Sequence, residues 1–272
     1  MRVSELFDVS DLSIVITGAA SGIGLGYAEA MASNGARVTM IDLNAAQLDV
    51  AVKRLRDGGA RVFGSVADVT QIETLRSAID ATIEREKRID VVFANAGISA
   101  GPGFLAGDGS RNPAAAFENL SLEMLDRAVA TNLGGAFRTI QTVIPYMKRQ
   151  GSGRIIVTTT VAVHKVGTLV STLYVASKAG LLQLVRQAAL ELARYGILVN
   201  GIAPGPVITN IGGGRLQDAN ARAPFERAIP MHRLATPQDL QGAALFLASS
   251  ASNYITGTQI VIDGGSSLGT AD

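Results

Sequence analysis

Between Ile14 and Gly24 the chain reads Ile-Val-Ile-Thr-Gly-Ala-Ala-Ser-Gly-Ile-Gly, a short apolar run that stops at closely spaced glycines. Ile14, Val15 and Ile16 are β-branched and uninterrupted by polar residues, as in a parallel strand covered on both faces. Gly18, Gly22 and Gly24 then mark a turn in which the backbone can take positive φ and approach a ligand closely. Leu25 to Ser33 is rich in Ala, Leu, Met and Glu and predicts a helix. Its unpaired N–H groups would face an anion, and with Ser21 and Ile23 in the turn a pyrophosphate fits there.

A glycine cluster alone suits any tight strand-to-helix turn, so its meaning depends on the residues beyond the helix. Asn34-Gly35-Ala36 ends that helix, and Arg37 to Asp42 supplies a second strand that closes on an acid. Asp42 lies 18 positions past Gly24, near the spacing of about 20 at which a carboxylate meets the adenosine ribose hydroxyls in a dinucleotide-binding unit. The same acid could instead cap the following helix. No Lys or Arg occupies Ala19, Ala20, Ser21 or Leu43 to offset a 2′-phosphate, so NAD is expected rather than NADP.

The alternation continues: helix Leu43–Asp57, strand Val62–Val66, helix Ile72–Arg85 and strand Ile89–Ala94. Repeated βα units close right-handed crossovers and bury a parallel sheet between helical layers. The expected fold is a single α/β domain spanning 1–272, a Rossmann-type doubly wound parallel sheet with ligands at the carboxyl ends of its strands. Gly18, Asp42, Asp68 and Asn95 each follow a predicted strand.

Composition narrows the chemistry. With 272 residues, 47% hydrophobic and 17% charged, the chain can bury a sizeable core, and a net charge of +1 without a long basic run favours neither nucleic acid nor an anionic membrane. There is no cysteine, and His164 and His232 are isolated in sequence, so thiol chemistry, iron–sulfur ligation and a metal site are not expected. Aromatics are only 5%, too few for a base-stacking platform. No apolar span is long enough to cross a bilayer and Met1–Leu12 lacks a signal-peptide core, which predicts a cytoplasmic protein.

Across its length the sequence resembles the short-chain dehydrogenase/reductase family. The resemblance rests on Thr17-Gly18-Ala19-Ala20-Ser21-Gly22-Ile23-Gly24, Asp68-Val69, Asn95-Ala96-Gly97, Asn132, Tyr174-x-x-x-Lys178, Pro204-Gly205 and Asp263-Gly264-Gly265. It implies that Asp68 and Val69 flank the adenine and that Asn95-Ala96-Gly97 supports the sheet and the cofactor. It puts Asn132 at a helix kink holding a proton-relay water, Val207 on the nicotinamide carboxamide and Thr209 near the pyrophosphate. A homotetramer or homodimer built on the helices after Met124 and Tyr174 is implied as well.

The chemistry is expected at Tyr174 and Lys178, which lie on one face of a helix because they are four apart. A phenol with an ordinary pKa near 10 needs roughly 4 kcal/mol of help to act as a base near pH 7. A close ammonium and an oxidised nicotinamide can supply it. The family places a serine 13 residues before the tyrosine, yet position 161 is Val. Thr160 is expected to take that role with one extra loop residue, Thr158 to share its face, and Thr159 to point away.

Ile98–Asn119 reads as an irregular loop, and 206–230, which contains Gly212-Gly213-Gly214, as either a lid or an ordinary surface loop. His164 follows the active-site strand and could touch substrate, whereas His232 reads as structural. The expected function is NAD-dependent interconversion of a secondary alcohol and a ketone, Tyr174 being the general base or acid. Two alternatives are an NADPH-dependent 3-oxoacyl-type reductase and a non-catalytic NAD-binding sensor. Without a basic pocket signature, the sequence favours a neutral, apolar, cyclic alcohol.

Overall fold

The computed structural model describes residues 2–269. Seven parallel strands form one sheet in the order β3-β2-β1-β4-β5-β6-β7. They are β1 Ser13–Thr17, β2 Arg37–Asp42, β3 Val62–Val66, β4 Val91–Ala94, β5 Gly153–Thr158, β6 Ile197–Pro204 and β7 Gln259–Ile262. The helices are α1 Val3–Leu6, α2 Gly22–Ser33, α3 Ala45–Asp57, α4 Ile72–Glu86, α5 Leu122–Ala128, α6 Ala136–Gln150, α7 Thr172–Leu192, α8 Ala219–Ala228 and α9 Gln241–Ala248.

Side chains alternate across the sheet and so fill two cores. Ile14 and Ile16 pack with Val38, Met40 and Phe93 beneath α2, α3 and α9. Val15 joins Ile41, Val92, Ile155 and Val199 on the opposite face, beneath α4, α6 and α7. Each such side chain removed from water stabilises the fold by about 1.5–3 kcal/mol. Strand order reverses at β1, whose neighbours are β2 on one side and β4 on the other. The crevice at the carboxyl ends of those strands is where an open α/β sheet receives a ligand.

Several local elements differ from the sequence expectations. Helix α2 starts at Gly22 rather than Leu25, so Gly24 lies in its first turn and serves close packing. Strand β5 ends at Thr158, which frees Thr160 to cap the short helical turn Val161–Val163. Helix α9 is preceded by a 3₁₀ turn over Pro237–Leu240. Helical structure also occurs in both predicted loops, as 3₁₀ turns at Pro113–Ala115 and Phe117–Asn119 and as α8 within 206–230.

Candidate active site

The glycine turn is shaped by contacts that only glycine permits. Gly18 and Gly22 have φ of 66° and 55°. A Cβ on Gly24 would lie 2.1 Å from the Gly18 carbonyl oxygen and 2.5 Å from Asn95 Nδ2. Gly24 therefore lets the first turn of α2 press against the end of β1, and it does not itself line the cleft. Ser21 precedes α2 without a side-chain capping bond, so the first-turn N–H groups remain directed at whatever occupies the turn.

Asn95 ties the two central strands together. Its Nδ2 donates to the carbonyls of Thr17 (3.1 Å) and Gly18 (3.2 Å), its backbone N–H donates to Thr17 Oγ1, and its Oδ1 accepts from Thr158 Oγ1 at 2.9 Å. One side chain thereby fixes the ends of β1, β4 and β5 relative to one another.

Asp42 closes β2 with both oxygens engaged. Oδ2 accepts from the Ala20 N–H and Oδ1 from the Asn44 N–H, each at 2.9 Å. The cap of α3 is Asn44, whose side chain accepts from Gln47 N–H. Asp42 thus braces the glycine turn while remaining on the cleft wall beside Leu43.

A cleft of about 1500 Å³ runs across the carboxyl ends of the strands. Gly18, Ser21, Gly22, Ile23, Asp42, Leu43, Asp68 and Val69 border one end; Asn95, Ala96 and Gly97 lie in its floor. Thr160, Tyr174, Lys178, Pro204, Gly205, Val207 and Thr209 border the remainder. The residues expected from sequence therefore converge on one space, with Gly24 and Asn132 behind its wall.

Asn132 occupies a π-helical stretch, Val129–Gly135, between α5 and α6. The extra residue in that turn is a common device for re-aiming a side chain. Asn132 is fully buried. Its Oδ1 accepts from Ile98 N–H at 2.8 Å, and its Nδ2 donates to the Ile98 carbonyl (3.1 Å) and Ser177 Oγ (3.0 Å). Its side chain has no surface in the cleft and clamps the loop after β4 to α7 from the helical irregularity expected at this position. Ser177 escaped the sequence reading; its only signal there was a small polar residue on the buried face of α7, beside Lys178.

Lys178 is buried and donates from Nζ to the Thr158 carbonyl at 2.7 Å. Its ammonium lies 5.9 Å from the centre of the Tyr174 ring. Burial pulls the Lys178 pKa down to about 8. Burial also pushes the Tyr174 phenol above its ordinary value, while a hydrogen bond from Thr160 works in the opposite direction. Of these two effects desolvation is the larger. A Cβ on Gly97 would meet Asn132 Oδ1 at 3.0 Å and Lys178 Nζ at 3.6 Å, so the missing side chain keeps the space before the ammonium open.

All three threonines border the cleft, but their hydroxyls have different partners. Thr159 Oγ1 donates to the Ile202 carbonyl at 2.9 Å and accepts from Gln259. Thr158 bonds to Asn95, and Thr160 faces Tyr174. Thr160→Ala should therefore lower kcat by at least about tenfold, the scale of one lost hydrogen bond to a group that becomes charged. Thr159→Ala should chiefly lower the melting temperature; steady-state kinetics with thermal melts on both variants checks the pair. His164 bonds to Gln259 on β7 and does not line the cleft. Among the described residues, no group of three or more His, Cys, Asp or Glu could hold a metal ion.

A family model described as enoyl-(acyl carrier protein) reductase matches residues 18–267. Among solved structures, a short-chain type dehydrogenase/reductase from Mycobacterium marinum superposes with a TM-score of 0.86 at 32% identity, covering 97% of this chain and 99% of the other. The chain belongs to the short-chain dehydrogenase/reductase family. An L-rhamnose 1-dehydrogenase (NAD(P)(+)) from Azotobacter vinelandii is 33% identical over 260 residues, 94% of this chain and 96% of the relative. A 7α-hydroxysteroid dehydrogenase complexed with NADH and 7-oxo glycochenodeoxycholic acid superposes with a TM-score of 0.86 at 30% identity, covering 100% and 99%. This short-chain dehydrogenase/reductase is accordingly an enzyme, an oxidoreductase using NAD(P).

Proposed function

We propose that this dehydrogenase interconverts a secondary alcohol and a ketone with NAD rather than NADP, and that Tyr174 transfers the proton. The reading is carried by the placement of Tyr174 and Lys178 in the same cleft as the glycine turn and Asp42. The glycine turn and the open face of Gly97 suit NAD, since Ser21 makes no capping bond to the first-turn N–H groups of α2 and a Cβ at Gly97, which would press on Asn132 Oδ1 at 3.0 Å, is absent from the space in front of Lys178. Gly18 to Ile23 would hold the pyrophosphate, Asp42 the adenosine ribose, Asp68 and Val69 the adenine, and Lys178, Val207 and Thr209 the nicotinamide half. Bound there, NAD supplies a hydride acceptor, or in its reduced form a donor.

The protein's own groups do the rest. Thr160 donates a hydrogen bond to the substrate oxygen, and Tyr174 takes the alcohol proton as the carbinol carbon is oxidised, returning it to the ketone oxygen in reverse. The Lys178 ammonium, 5.9 Å from the centre of the Tyr174 ring, favours the ionised phenol. That opposes part of the burial cost. Asn132, through Ile98 and Ser177, holds the loop after β4 against α7. The test is NAD-dependent oxidation of secondary alcohols at alkaline pH; a chain that binds NAD but oxidises none would refute it.

Two further features fit this reading. The 206–230 segment is assigned as a cover over the substrate end. Gly212, Gly213 and Gly214 all have positive φ, and Pro224 of α8 lies where a Cβ on Gly107 of the opposite loop would meet it at 2.7 Å. Proteolytic cleavage within 206–230 should slow when NAD is added; an unchanged rate would make it a plain surface loop. Exposed Phe137 on α6 and Leu190 on α7 support assembly through those helices into a homotetramer, which light scattering reports directly. Among the described residues no helix is long and apolar enough to cross a membrane, and a cytoplasmic location is the proposal that goes with it.

A further inference from the structure

The two ends of the cleft differ in charge. Among the described residues, the only carboxylates on its wall are Asp42 and Asp68, both at the adenosine end. The substrate end is walled by 98–102, by 161–171 and by 206–229, and it receives two cations, Lys165 and Arg215, with no acid. Arg127 and Arg138 also reach the cleft. They belong to the stretch from α5 to α6, where Gly135 packs on Val69 and Arg138 bonds to the Ala130 carbonyl, on the adenine side.

Neither cation at the substrate end is consumed by the fold. Lys165 Nζ donates to the Ser266 carbonyl at 3.1 Å, one of the three hydrogen bonds an ammonium can give. Arg215 rests its guanidinium 5.8 Å from the centre of the Phe225 ring, a stacked arrangement that steadies the group and leaves its N–H fork unused. Neither forms an ion pair with a described residue. The acid closest in sequence to Ser266 is Asp263, and its carboxylate is turned inward onto the N–H groups of Gly265 (2.9 Å) and Ser267 (2.7 Å) and the Ser266 hydroxyl. The two cations also approach from different walls: Lys165 follows β5, whereas Arg215 sits in the turn Ile211–Gln217 ahead of α8. The walls are joined, because Gly264 and Gly265, next to Ser266, pack on Ile229 and Pro230 at the end of α8.

We propose that the substrate of this enzyme carries a carboxylate in addition to its secondary alcohol or ketone, and that Lys165 and Arg215 bind it. The proposal rests on the alcohol–ketone reading and narrows it to hydroxy acids and keto acids. It replaces the neutral alcohol favoured by the sequence, where Lys165 and Arg215 stand 50 positions apart and form no basic run. Both side chains are exposed, so each pair is screened by salt and modest alone; acting together they set selectivity more than turnover.

The test uses open-chain and alicyclic hydroxy acids, each paired with its methyl ester and its primary amide. NADH formation is followed with the intact enzyme and with Lys165→Gln, Arg215→Gln and the double variant; thermal melts confirm folding. The expected result is a kcat/KM for the acids at least about tenfold above the neutral partners, falling with added salt and lost in the double variant. Esters and amides oxidised as well as the acids, or an acid preference that survives both substitutions and high salt, would overturn the assignment of the carboxylate while leaving the alcohol–ketone reading intact. If neither acids nor neutral alcohols are oxidised, both fall.

Discussion

Tyr174→Phe should bind NADH as the unmodified enzyme does and lose about a thousandfold in kcat for alcohol oxidation, within the range that one positioned acid–base group contributes. The ring, its burial and its packing against Leu173 and Ala100 are retained, so the substitution removes only the hydroxyl. Phe cannot take the alcohol proton, and among the described residues no other titratable side chain bonds to Thr160 in its place. The loss should fall on kcat and kcat/KM together, as for an interaction made in the transition state. Oxidation by the unmodified enzyme should rise with pH, because burial holds the proton on the phenol at neutral pH; reduction should show the opposite trend. Ordinary turnover by the Phe variant would remove Tyr174 from the chemistry.

The second large effect concerns the cofactor. The unmodified enzyme should favour NAD over NADP by at least about a hundredfold in kcat/KM, because a 2′-phosphate would be set against the Asp42 carboxylate, and unrelieved like charges cost several kcal/mol. Among the described residues, the Arg side chains at that end of the cleft, Arg127 and Arg138, belong to the stretch from α5 to α6 and not to the glycine turn or the end of β2. Asp42→Ala should narrow the preference to within about tenfold, again by loss of the repulsion. It should also lower the melting temperature, since the Ala20 and Asn44 N–H groups lose their acceptor. The ratio of the two cofactors separates these effects: a fold defect weakens both equally. Equal use of NAD and NADP by the unmodified enzyme would contradict the role given to Asp42.

Much of the fold was legible in the sequence because parallel βα units write a strong local pattern. Ile14–Ile16 and Arg37–Asp42 are covered on both faces or close to it, and their boundaries follow from β-branched or apolar runs ended by Gly or Asp, whereas Val62–Val66 is the half-exposed edge strand. Tyr174 and Lys178 were picked out by their spacing of four together with the glycine turn and the family resemblance, and Thr160 by the Val at 161 where that family places a serine. What stayed hidden depends on tertiary contact. That Gly24 serves helix-to-strand packing requires knowing where the Gly18 carbonyl points. The burial of Asn132 follows from a π-helical turn that no local propensity announces, and the phenol's raised pKa follows from the burial of its side chain. Lys165 and Arg215 lie in irregular segments whose meeting is fixed only by the long-range packing of 263–266 against α8.

Catalysis here turns on a phenol that burial makes reluctant and that positive charge makes useful. A spectroscopic titration of the phenolate, taken as the difference between the unmodified enzyme and Tyr174→Phe, isolates this one tyrosine from the other four. Without NAD the midpoint should lie above 10, the ordinary value for tyrosine, and saturating NAD in its oxidised form should bring it down by at least about one pH unit, the pull expected of a nearby cation. A midpoint that is the same with and without NAD would contradict the proposed mechanism.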